Sequence, residues 1–260
     1  MHIESRAFGL LAAIAVASAC GTKDAPTGLD GGDQGRVRFV NLITNPARNP
    51  VNAILEGMPF GVGLAYTAAT PPTLPAPATA LYSPVLVGPR TLVVKRTADT
   101  AVTLATISFT VASNEDQTIY ATGGTGTTAV TNFITTDANS TAPATTEVRF
   151  RVVNLSPTAG PVDVFVTAAG ADLAAATPNA ANVASQSASA YFAVALPPNA
   201  TQASYVIRFV PAGTAAAARN ASVSITIASA SYAGGTGRTI VATENAAGTG
   251  VPRGFVLTDR

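Results

Sequence analysis

Ile107, Phe109 and Val111 alternate with Thr106, Ser108 and Thr110, and far along the chain Val223, Ile225 and Ile227 alternate with Ser222, Ser224 and Thr226. A period of two, apolar on one face and hydroxylated on the other, is the signature of a half-buried strand. Arg36-Val37-Arg38-Phe39 and Arg149-Phe150-Arg151-Val152 read the same way. Val37, Phe39, Phe150 and Val152 are expected inside, with Arg36, Arg38, Arg149 and Arg151 in solvent. No segment carries a helical stripe, and the Ala-rich stretches 172–176 and 214–218 are long enough only for a turn of helix. Short strands separated by Gly, Pro and Asn turns, about seven in each half, predict an antiparallel sandwich rather than an α/β layout.

The pattern is written twice. Arg36-Val37-Arg38-Phe39-Val40-Asn41-Leu42 returns as Arg149-Phe150-Arg151-Val152-Val153-Asn154-Leu155. After a Pro-containing turn, Val51-Asn52-Ala53-Ile54-Leu55 corresponds to Val162-Asp163-Val164-Phe165-Val166. Leu92-Val93-Val94 then answers Val206-Ile207-Arg208, Thr118-Ile119-Tyr120-Ala121-Thr122 answers Thr239-Ile240-Val241-Ala242-Thr243, and Phe133-Ile134-Thr135-Thr136-Asp137 answers Phe255-Val256-Leu257-Thr258-Asp259. The small polar segment 139–145 separates the copies as a linker.

These motifs, with the Pro211-Ala212-Gly213-Thr214 turn, resemble the bacterial family called domain of unknown function 4397. The resemblance implies exported, often tandem, immunoglobulin-like β-sandwiches and is silent about chemistry. The fold expected is therefore all-β, two tandem immunoglobulin-like antiparallel β-sandwich domains over 35–138 and 146–260. In the first copy Asn52 stands where the second has Asp163, and Thr97-Ala98-Asp99-Thr100 replaces the Pro-Ala-Gly-Thr turn.

Upstream, a short apolar run following Arg6 ends in Ala17-Ser18-Ala19-Cys20, which resembles a bacterial lipobox with Ala17 where Leu is preferred. The run is too short to span a bilayer, so 1–19 reads as a lipoprotein signal peptide and Cys20 as the lipid attachment residue. The competing reading is an ordinary signal peptide cut at the Ala17-x-Ala19 site. Residues 20–34, rich in Gly, Asp, Thr and Pro, read as a flexible tether. Its Leu29-Asp30-Gly31-Gly32-Asp33 stretch offers too few oxygens for calcium. Gly21 after Cys20, in place of aspartate, makes the outer membrane the default address in a Gram-negative host.

Composition narrows the chemistry. Cys20 is the only cysteine, His2 the only histidine, and the net charge is +1. A mature chain without histidine or free thiol lacks the usual metal ligands, general base and thiol nucleophile. No catalytic, metal or cofactor site is expected, and so weak a charge gathers no nucleic acid. Serine catalysis would need a lysine base, and only Lys23, in the tether, and Lys95 are present.

The remaining candidates have plain structural explanations. Asn41 and Asn154 are expected to bond their own backbone and start turns. Asp137 and Asp259, in different copies, are read as solvated strand-end acids rather than a carboxylate pair. Gly123-Gly124-Thr125-Gly126 and Gly234-Gly235-Thr236-Gly237 lack the Lys-Ser/Thr pair and helix of a phosphate loop and read as turns. The Pro-rich segment 71–77 reads as a stiff connection. The functional expectation is a membrane-anchored envelope protein, a structural or protein-binding module. The alternative is recognition of carbohydrate or another polymer such as surface polysaccharide, by exposed members of Tyr66, Tyr82, Tyr120, Tyr191, Tyr205 and Tyr232.

Overall fold

A computed structural model describes residues 32–71, 81–125, 127–247 and 249–260. Cys20, the signal segment, most of the tether and most of the Pro-rich segment lie outside the described residues. The first half holds β1 (Gln34–Ile43), β2 (Val51–Leu55), β3 (Met58–Leu64), β4 (Ser83–Leu86), β5 (Gly88–Arg96), β6 (Asp99–Val111), β7 (Asp116–Gly123) and β8 (Val130–Asp137). The second holds β9 (Glu147–Asn154), β10 (Val162–Thr167), β11 (Ala180–Val183), β12 (Ser187–Ala188), β13 (Phe192–Ala195), β14 (Gln202–Pro211), β15 (Ile225–Ala233), β16 (Gly237–Glu244) and β17 (Pro252–Thr258).

The protein is all-β. In the first half, a sheet ordered β4-β1-β7-β8 faces one ordered β3-β2-β5-β6; in the second, β12-β9-β16-β17, with β13 also on β9, faces β11-β10-β14-β15. Most neighbours are antiparallel, with one exception in each half: β1 runs parallel to β7, and β9 parallel to β16. Parallel neighbours need a long crossover, and here the crossover is the whole opposite sheet. Tight turns close the short connections. At the β2–β3 hairpin Glu56 and Gly57 both have positive φ, 48° and 81°, as a two-residue turn between twisted strands requires.

Each half has its own core. Val37, Phe39, Ile43, Val51, Leu55, Leu92, Val94, Ile107 and Ile119 fill the first, and Phe150, Val152, Val162, Val164, Ile207, Phe209, Ile225 and Ile240 the second. The expected alternation in β6 is observed. In β15 it holds for Ile225, whereas Val223 lies just before the strand and packs on the opposite face against Phe165, Leu173 and Val210. The correspondence of Leu92 with Val206 is also off by one. Leu92 pairs with Leu55 and Ile207 with Val166, so Ile207 is the inward equivalent. A one-residue slip moves a side chain to the other face.

A third cluster joins the halves: Val40, Leu42 and Tyr120 pack with Val153, Leu155 and Val241, flanked by Phe133, Phe255 and Leu257. The sheet containing β1 and the sheet containing β9 are therefore buried on both faces, and the four sheets stack as four layers. Both Arg38 and Arg151 lie in this middle seam.

Candidate functional site

Strand geometry puts the seam together. In β1, Val37, Phe39 and Ile43 face the first core, so Arg38, Val40 and Leu42 must face the other way. In β9 the same rule sends Arg151, Val153 and Leu155 toward them. The parallel register sets Arg38 beside Thr118 and Arg151 beside Thr239, while antiparallel β8 and β17 bring Thr135 opposite Thr118 and Leu257 opposite Thr239.

The expectation that Arg38 and Arg151 point to solvent is thereby overturned. Both side chains are 3% exposed. Arg36, with a side chain 57% exposed, does reach solvent and makes a bidentate pair with Asp116 at 2.6 and 2.8 Å. Arg149 is partly covered and lies 5.0 Å from the Tyr191 ring centroid.

The reading of Asp137 and Asp259 as solvated acids fails for the same reason. Their side chains are fully buried, and each meets the arginine of the other half. Arg38 Nη2 donates to Asp259 Oδ1 at 2.7 Å, and Arg151 Nη2 donates to Asp137 Oδ1. Each arginine also donates through Nε to the threonine beside it, Arg38 to Thr118 at 3.1 Å and Arg151 to Thr239 at 2.8 Å. Those threonines donate in turn to the aspartates of their own half, Thr118 to Asp137 and Thr239 to Asp259. Finally, Arg38 Nη1 donates to the Thr258 carbonyl at 2.7 Å and Arg151 Nη1 to the Thr136 carbonyl at 2.9 Å. The bonding is reciprocal across an approximate two-fold axis.

Tyrosines flank the lattice. Tyr82 donates to Asp137 Oδ2 at 2.6 Å, and its oxygen stands 3.4 Å from Asp259 Oδ1, so one hydroxyl bridges both acids. Arg38 lies over the Tyr82 ring at 4.5 Å and Arg151 over the Tyr191 ring at 5.1 Å. Burial alone would lower the pKa of both arginines. For Arg38, Tyr82 and Asp259 reverse this and hold the pKa above its ordinary value; for Arg151, Asp137 and Tyr120 do so. Burial raises the Tyr82 phenol, with Arg38 opposing, and pushes Tyr191 up to about 12, with Arg151 opposing. Four ionised groups with all this bonding form a neutral, water-poor clamp.

Asn154 ends β9 and starts a turn as expected, whereas Asn41 lies inside β1, which runs on to Ile43. Asn41 accepts from the Ile43 amide at 3.1 Å and Asn154 from the Ser156 amide at 3.2 Å. Both are also buried, and their amide groups donate to backbone carbonyls, Asn41 to Leu64 at the end of β3 and Asn154 to Gly160 and to Val183 at the end of β11. Gly123, Gly124 and Gly235 have positive φ and lie at turns. A surface groove of about 400 Å³ beside β11 and β12 is lined by Asn, Ser and Ala residues together with Val183, Phe192 and Tyr191, the last its only titratable side chain. Among the described residues no group of three or more His, Cys, Asp or Glu could hold a metal ion.

The fold and seam define an all-β protein of two stacked sandwiches joined by a desolvated charge lattice. Residues 35–165 match the family described as domain of unknown function (DUF4397), and the chain belongs to that family. The match covers the first half and continues through β9 into β10, and so includes Arg38, Asp137 and Arg151. No curated protein matches the chain.

Proposed function

We propose that the chain is a lipid-anchored, non-catalytic protein of the cell envelope, in which two tandem copies of the family's sandwich unit form one stiff structural or protein-binding module. The observation that carries the reading is the seam. The residues best suited to chemistry, Asp137, Asp259, Arg38 and Arg151, spend their bonding capacity on one another in a dry interface. The address rests on Ala17-Ser18-Ala19-Cys20, with two or more acyl chains giving stable attachment. An outer-membrane location in a Gram-negative host follows from Gly21 after the cysteine.

Protein partners have a surface available. β15 is an edge strand of nine residues without a charged side chain, bonded only to β14, and strand addition uses such an edge. The polysaccharide reading needs exposed aromatic platforms, and all six tyrosines are buried or half-buried.

The anchor is tested by Cys20→Ser in cells fed labelled palmitate. The variant should lose the label and leave the membrane fraction; full retention would overturn the lipoprotein reading. The partner surface is tested with a photo-crosslinking residue at Ala228 in β15, against a control at Ser113, exposed in the turn after β6 and outside any strand. A discrete adduct in intact envelopes from Ala228 alone is expected, and no adduct from either site would remove strand addition from the proposal.

A further inference from the structure

The seam is nearly self-complementary. Arg38, Thr118, Asp137, Val40, Leu42 and Phe133 are matched across the two-fold by Arg151, Thr239, Asp259, Val153, Leu155 and Phe255. In such an isologous arrangement residue i meets j and j meets i, as the crossed Arg38–Asp259 and Arg151–Asp137 pairs do. Several positions break the identity, among them Tyr66 and Tyr82, which bond across the seam from the first half alone, and two more that fall at matched strand positions. Tyr120 stands where the second half has Val241, and both pack into the shared apolar cluster. Thr135, which donates to Asp137 at 2.8 Å, stands where the second half has Leu257. Two first halves would bring two tyrosines to one site, and two second halves would leave a void there. The pairing is therefore specific for one first half with one second half.

Nothing in the seam requires those halves to belong to the same chain. Beside the hinge, the Asn139 side chain is held by the first half, donating to Asp116 at 2.9 Å and to Tyr82 at 3.2 Å, while its carbonyl accepts from Arg260 and the Ala138 backbone bonds Tyr191 and Arg149 of the second half, so these bonds belong to the seam. Ala144 is tied to the second, where its carbonyl accepts from the Gly235 amide at 3.1 Å. Ser140, Thr141 and Ala142 between them are exposed and, among the described residues, bonded to neither half. A hinge this short favours exchange, because opening it allows a second chain to supply the missing half.

We infer that the seam is an exchange interface whose further partner is a second copy of this chain, the first half of each pairing with the second half of the other. The exchanged dimer remakes every bond of the lattice, so only hinge geometry and concentration separate it from the monomer. Tyr120 and Val241 are among the positions that determine which halves pair.

The full chain in detergent tests this with two variants. Tyr120→Val places two valines in the cluster, and Val241→Tyr places two tyrosines there. Each alone is mismatched and should melt about 5–10 °C below the parent. In a reciprocal dimer of one chain of each, both seams regain one tyrosine and one valine. Unfolding the two together in denaturant and refolding them should yield a one-to-one heterodimer of twice the chain mass, melting near the parent. If a variant fails to fold alone, the same heterodimer should still form. A mixture that stays as two low-melting species, or that refolds no better than either variant, would overturn the inference; so would single variants that melt with the parent.

Discussion

At the scale of single residues, the seam binds charges that would be costly if left alone. Removing one partner of a buried ion pair strands the other, typically at about 3–5 kcal/mol. Arg38→Met is expected to cost that much by denaturant titration, because Asp259 loses its direct ion pair, made at 2.7 Å. Arg38→Met with Asp259→Leu should recover a large part, since a matched apolar pair removes both desolvation penalties. A double-variant cost equal to the sum of the Arg38→Met and Asp259→Leu single costs would mean that the pair is not coupled. Tyr120 gives the opposite expectation. Its hydroxyl is buried without a hydrogen-bond partner, so Tyr120→Phe should leave stability unchanged or raise it. These residues were visible in the sequence as repeated Arg, Thr and Asp positions. Their role was not, because a period of two reports alternation without saying whether the second face meets water. The signal was Val40 and Leu42: a strand apolar on its arginine face as well as its core face is buried on both.

At the scale of elements, strand identity was well written in the chain, since alternation, Gly and Pro turns and the duplicated motifs all agreed. Relative register was less legible, because bulges add a residue without marking it in the pattern. β14 and β15 change register between Tyr205 and Ile207, near the slip that misaligned Leu92 with Val206. β15 provides a direct comparison of its two faces. Ile225 is buried in the second core, and Ile225→Ala should cost about 2–5 kcal/mol through lost transfer energy and a residual cavity. Thr226, its exposed neighbour, should cost within about 0.5 kcal/mol when changed to Ala. Comparable losses at the two positions would mean that the alternation does not describe the strand.

At the scale of the whole molecule, the halves share a core, so the sequence picture of two independent beads on a linker misses a layer of packing. Alkaline conditions test that layer. Burial pushes the Tyr191 phenol up to about 12 and raises Tyr82 and Tyr120 as well. Below an ordinary tyrosine pKa of about 10 both folded and unfolded chains keep these protons. Above it the unfolded chain releases protons that the folded chain retains, so stability should fall between about pH 10 and 12. Melting curves at rising pH, followed by phenolate absorbance, should show a late group of tyrosines ionising together with unfolding. Ionisation of every tyrosine well before unfolding would contradict their burial.

The parallel pairing of β1 with β7 also constrains how the chain acquires its structure. Arg36 meets Asp116 at a sequence separation of 80, and Arg38 meets Asp259 at 221. Such a chain has high contact order, and although β1 can pair over its first residues with β4, most of its length waits for β7. If delivered N-terminus first, the seam closes only when the final residues arrive, leaving two apolar sheet faces open in the interval. That interval is the period of greatest aggregation risk, and the last β-strand to emerge, β17, ends it.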